Sequence, residues 1–165
     1  MTTLTYQDLC KQYSQYTNKL SQRRALVREQ IRQLQIALAT DLGLLEKLYR
    51  KQLNQEPTEP YVRLLDENNV PIEFHQLKAQ FSTLGEPNIT FKLALALEEN
   101  ENSYPKTLTS LVITAYYISD TLINFVFQDV KENFAFPTNL EDEKPFAPLI
   151  QAYKELVLKT YELKN

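Results

Sequence analysis

Hydrophobic positions in the first third of the chain recur at steps of three and four. The series Tyr6, Leu9, Tyr13, Tyr16, Leu20, Arg24, Val27, Ile31, Leu34, Leu38, Leu42, Leu45, Tyr49, Leu53 takes 13 steps over 47 residues. That is about 3.6 residues per step, the period of a straight helix with one apolar face. No Pro interrupts residues 1–53, and Gly43 is their only glycine. The segment is rich in Gln, Leu, Lys, Arg and Ala, all good helix formers. The pattern predicts a helical arm over 1–53. A single helix from Tyr6 to Leu53 would measure about 72 Å at its rise per residue. A compact chain of this size has a radius of gyration of about 15 Å. Two arrangements satisfy both lengths. The helix pairs with another chain, or it folds back as a hairpin with bends near Asn18–Ser21 or Thr40–Gly43. The first is favoured, with Val27, Ile31, Leu34, Leu38, Leu42 and Leu45 as the partner-facing seam, because their branched and Leu side chains follow coiled-coil steps.

From Asn54 the period changes. Asn54–Pro60 carries two prolines and reads as a linker that stops the helix. Tyr61–Asp66 and Val70–Phe74 alternate apolar and polar residues around a Glu67-Asn68-Asn69 turn, which predicts a hairpin. Residues 75–86 read as a short helix or loop. Phe91, Leu93, Leu95 and Leu97 then alternate with Lys92, Ala94, Ala96 and Glu98, a strand with one covered face. Leu108–Ile118 and Thr121–Phe127 are rich in Val, Ile and Thr and read as a strand pair, although Leu111, Ala115, Ile118, Leu122 and Phe125 also fit helical spacing. An amphipathic helix over 146–164, with Leu149, Tyr153, Leu156, Val157 and Tyr161 on its stripe, would cover the sheet. The predicted fold is α+β: a long N-terminal helix at 1–53, a linker at 54–60, and a body at 61–165. The body is an antiparallel meander of about five strands under a C-terminal helix.

Charge divides the chain at the same place. Its 165 residues carry a net charge of -3. Residues 1–53 hold nine basic and four acidic side chains, a net of +5, which leaves -8 on the remainder. Such asymmetry concerns interaction surfaces rather than fold. Lys19, Arg23, Arg24, Arg28 and Arg32 line a basic helical stripe that could meet phosphates. Glu29 and several Gln lie among them and no aromatic does, so a solvated or partner-pairing face is the favoured reading.

Composition narrows the chemistry. One Cys (Cys10) excludes an internal disulfide, and one His (His75) with one Cys provides no zinc set. Two separated glycines cannot form a phosphate-binding loop. No cofactor is expected. The N-terminus has no basic start followed by an apolar run, and no stretch is long enough to span a bilayer. The expectation is a soluble intracellular protein, cytoplasmic or nuclear, without a membrane partner.

Two resemblances touch short stretches. Asp120, then Asp129-Val130-Lys131 after a strand, resembles the PD-(D/E)xK nucleases. The resemblance implies that Asp120 and Asp129 hold Mg²⁺ beside Lys131, although Ser119 stands where the family has Pro. The order of a projecting helix, a meander and covering helices, with Tyr104-Pro105 after the strongest strand, is similar to RWD-type domains. Those domains are binding modules, and a further Pro of their pattern is missing after Tyr104-Pro105. The expectation is a non-enzymatic interaction or assembly subunit, an adaptor that pairs with a like or unlike chain through its N-terminal helix. The alternatives are a nucleic-acid-associated protein using the basic stripe and, behind it, the nuclease.

Overall fold

A computed structural model describes residues 3–82, 85–100, 102–140 and 144–163. Helix α1 spans Tyr6–Asp41 and opens with a capping box. The Thr5 side chain accepts from the Asp8 backbone N–H, and the Asp8 carboxylate accepts from the Thr5 N–H. Both satisfy backbone donors that a helix start leaves open. The helix ends twelve residues before Leu53, and Gly43 is the cause. Its N–H donates to Thr40 O, and the Leu44 N–H reaches back to Ala39 O at 2.8 Å. This pair of bonds, with Gly43 at φ +70, is a Schellman stop. The predicted extension to Leu53 is therefore wrong, and of the two bends proposed for a hairpin only the Thr40–Gly43 site breaks the helix. No second helix folds back from it. The chain instead makes a short hairpin, β1 (Leu48–Arg50) with β2 (Pro57–Pro60), where the sequence suggested helix end and linker.

Strands β3 (Val62–Leu65), β4 (Pro71–Ile72), β5 (Ala79–Phe81), β6 (Pro87–Leu97), β7 (Thr107–Ser119), β8 (Leu122–Phe127) and β9 (Asn133–Pro137) form one antiparallel sheet in the order β4-β3-β6-β7-β8-β9, with β5 also on β6. A 3₁₀ turn at Phe74–Gln76 precedes β5. Of the predicted helix-or-loop stretch, residues 83 and 84 lie outside the described residues, as does residue 164 of the predicted last helix. Residues 107–127 are a strand pair, as their Val, Ile and Thr content predicted.

The register explains the core. Ile89, Phe91, Leu93 and Leu95 on β6 lie opposite Ala115, Ile113, Leu111 and Thr109 on β7. Ile113 and Ala115 in turn lie opposite Phe127 and Phe125 on β8. Helix α2 (Ala147–Thr160) adds Leu149, Ile150, Tyr153 and Val157 to the same core. The Tyr153 hydroxyl donates to Leu93 O at 2.8 Å, and burial pushes its pKa upward. Phe125, Phe136 and Phe146 meet edge to face at 4.9–5.8 Å. The second half of α1 completes this layer. Val27, Ile31, Leu34 and Leu38 are fully buried there, and Asp41 accepts from Lys154 of α2 at 2.8 Å. The opposite face of the sheet is polar, with a Thr90–Thr114 hydroxyl contact at 2.9 Å and an Asn124–Tyr116 bond at 3.0 Å.

Candidate functional site

Helix α1 has two halves with different surroundings. From Val27 to Ala39 its apolar face belongs to the domain core. From Tyr6 to Tyr13 the same face is exposed: Tyr6, Leu9 and Tyr13 are 80, 59 and 68% exposed. Leu4, just before the cap, extends the exposed stripe. Single exposed apolar residues are ordinary, but a contiguous row of large ones marks a contact surface.

The junction between the halves is anchored. Arg23 donates to the carboxylates of Glu86, before β6, and Asp120, at the β7–β8 turn. Its guanidinium lies 4.8 Å from the centre of the Tyr117 ring. Burial alone would lower the Arg23 pKa; the two carboxylates more than offset this and leave it raised. Lys19 reaches Asp120 at 3.5 Å. Tyr16 and Leu20 pack over Gly85, where a Cβ would collide with the tyrosine hydroxyl. Gly85 also sits at φ +83, so the close approach and the backbone both call for glycine.

Most of the residues expected from the sequence to face a partner are thus occupied within the chain. Val27, Ile31, Leu34 and Leu38 meet their own sheet rather than another chain. Leu42 is half-buried at the helix end, and Leu45 is exposed on the loop after it. The stripe that stays exposed lies upstream. A sequence signal for it existed: Tyr6, Leu9 and Tyr13 step 3 and 4, and two of the three are tyrosines. Tyr combines an apolar ring with a polar tip and suits a surface that is wet until it is bound. The core half uses aliphatic residues, which suit permanent burial.

The basic stripe is largely committed within the chain. Besides Arg23 and Lys19, Arg28 donates through Nε to Leu77 O at 2.8 Å, and its pKa is lowered by burial and by Arg24. Arg32 forms a fork with Glu29 and faces the Phe74 ring at 5.7 Å. That hydrogen bonding lowers the Glu29 pKa and raises that of Arg32. Arg24 is half-exposed and makes no ion pair among the described residues.

The three residues of the nuclease resemblance do not converge. Asp120 precedes β8 and Asp129 follows it, so the strand separates them by about 20 Å. Asp129 and Lys131 lie on the β8–β9 turn, with Lys131 at φ 54, and strand alternation does not apply to them. Asp120 is held instead by Arg23 and Lys19. No cluster of three metal-ligating side chains occurs among the described residues. Cys10 is exposed on the arm, and the His75 ring stands edge-on to Phe74 at 5.6 Å. The Tyr104-Pro105 peptide is cis, and Lys106, paired with Glu98 at 2.6 Å, lies over the Tyr104 ring. Among the described residues no helix is long and apolar enough to cross a membrane.

Comparison of the chain with protein-family profiles, with curated proteins and with solved structures finds no match.

Proposed function

We propose that this chain is a non-enzymatic assembly subunit that engages another protein chain through the exposed Leu/Tyr stripe on the first half of α1. The observation that carries the reading is the row Leu4, Tyr6, Leu9 and Tyr13, exposed on a helix whose other half is locked into the core. Large amphipathic aromatics flanked by polar residues are the side chains that dominate protein interfaces. The commitment of Arg23, Arg28 and Arg32 to internal carboxylates, a carbonyl and a ring favours a protein partner over nucleic acid.

The test compares the wild type with a Leu9→Glu/Tyr13→Glu variant. Both substitutions lie on the open stripe and leave the core half of α1 intact. Each tagged protein is expressed in its native source, and co-purifying chains, including untagged copies of itself, are identified. Chains recovered with the wild type alone are then tested for direct binding to the purified wild type. Identical recovery by wild type and variant would end the reading.

A further inference from the structure

We propose that the sheet face opposite the core is a shallow binding site for a neutral oligosaccharide. The site is separate from the arm and does not rest on its docking role.

Ser82, Asn88, Thr90, Thr114, Tyr116 and Gln128 line a groove of about 540 Å³ on this face. Small-ligand sites span roughly 300–1,000 Å³. The strand register builds the groove. Asn88 lies opposite Tyr116, and Thr90 opposite Thr114, across β6 and β7. Side chains at every second position share a face. Ser82 follows β5 and Gln128 follows β8.

The hydrogen-bonding capacity of these groups is only partly used. Thr114 Oγ1 is occupied by Thr90 Oγ1 and by Gln128 Nε2, each at 2.9 Å. The Tyr116 oxygen accepts from Asn124 at 3.0 Å, which leaves its O–H to donate. Ser82 Oγ accepts from the Glu86 N–H at 3.3 Å and likewise keeps its O–H. Gln128 retains its carbonyl and one N–H. The Asn88 side chain has no hydrogen-bond partner among the described residues. The open valences are therefore donors and acceptors side by side.

Charge selects among polar ligands. Among the described residues no Lys or Arg lines the groove. Lys92, next along the same face of β6, donates away from it to Asn69 Oδ1 at 2.8 Å. The one carboxylate in the lining, Glu86, accepts from Arg23 through Oε1, and its Oε2 is buried. A phosphate, sulfate or carboxylate would find no counter-charge there, and a cation would find a carboxylate already paired. A sugar hydroxyl donates and accepts at once, so it matches the mixed set without a charge. The C–H faces of the sugar rings pack on the Tyr116 ring and the Thr methyls.

NMR titration of the isotope-labelled full chain tests the site. The probes are neutral trisaccharides of glucose, mannose and N-acetylglucosamine, with trigalacturonate and sialyllactose as charged controls. Each is added up to about 20 mM, because a shallow polar site binds weakly. At least one neutral probe should give saturable shifts, and the Asn88 and Gln128 side-chain amides should move most. Asn88→Ala and Gln128→Ala should each weaken that binding about fivefold, the worth of one net hydrogen bond. Asn88 is half-buried and Gln128 exposed, so the second variant keeps the test intact if the first disturbs the fold. Leu9→Glu/Tyr13→Glu should bind sugar like the wild type, so failure of arm docking and failure of the groove are read separately. No saturable shift with any neutral probe overturns the proposal. Tighter binding of a charged control overturns it too, as does an affinity that neither alanine variant changes.

Discussion

Leu34→Ala and Leu9→Ala remove the same group from the same face of the same helix, yet they should differ about tenfold in cost. Leu34 is fully buried between α1 and the sheet. Its truncation loses the transfer energy of the side chain and leaves a cavity that rigid neighbours close only partly, about 3 kcal/mol together. Leu9 is 59% exposed. Its truncation should cost no more than about 0.3 kcal/mol, since Ala is at least as good a helix former as Leu and little burial is lost. In urea, with a slope near 2 kcal/mol per molar, Leu34→Ala should lower the midpoint by about 1.5 M and Leu9→Ala by under about 0.2 M. In melting temperature the Leu34 change corresponds to about 6–12 °C for a chain of this length. The measurement is equilibrium unfolding followed by circular dichroism near 1 µM protein, dilute enough that association through the arm contributes little. Equal midpoints for the two variants would refute the division of α1 into a core half and a free half. A neutral Leu34→Ala would show that α1 does not dock on the sheet.

Tyr153 gives a pH dependence. Its hydroxyl is neutral in the fold above the ordinary tyrosine value of 10.0 because burial raises its pKa. Above pH 10 the unfolded chain releases that proton and the folded chain retains it, so stability should fall by up to about 1.4 kcal/mol per pH unit. Below pH 10 the group adds no slope. Tyr153→Phe should lose about 1 kcal/mol near neutrality, the net worth of its hydrogen bond to Leu93 O, and should show a shallower alkaline decline in urea midpoints. Arg23→Gln should cost about 1 kcal/mol, limited by the exposure of Asp120. Glu86 Oε2, buried and without a hydrogen bond among the described residues, makes that loss partly insensitive to 1 M salt, which unfolding at two ionic strengths would reveal. Lys131→Gly should stabilise by about 0.5 kcal/mol, since Lys131 occupies the left-handed region at φ 54; a lower melting temperature would contradict this.

The sheet was legible because its signal is short-range. Phe91, Leu93 and Leu95 alternate with Lys92 and Ala94, and a period of two read on one strand already names the buried face. The strand pair at 107–127 was readable from its β-branched content even though some of its residues also fit a helical period. The end of α1 was misread for the opposite reason. Leu45, Tyr49 and Leu53 continue the 3.6 spacing by coincidence, and a long periodicity outweighed the single residue that ends the helix, Gly43. β1 and β2 went unseen because three or four mostly exposed residues each carry no alternation worth reading; β9, a short edge strand, was missed too. The exposed stripe lies on the face the periodicity named but on an earlier length of it than the seam expected at Val27–Leu45. Periodicity tells which side of a helix is apolar, and only the register of β6 and β7 tells which turns of it the sheet reaches. Asp120, Asp129 and Lys131 look adjacent along the sequence because a strand hides its length there; in space it separates them.

The continuity of α1 across the Arg23 anchor locks the azimuth of the arm to the body. A flexible linker would let the stripe swing, whereas an unbroken helix fixes its direction by residue count alone. Each residue added between Leu20 and Arg23 turns the stripe by about 100° around the helix axis, and an added seven return it to within about 20°. The few residues at this junction therefore set the angle between joined bodies in any assembly, and they do so without touching a partner.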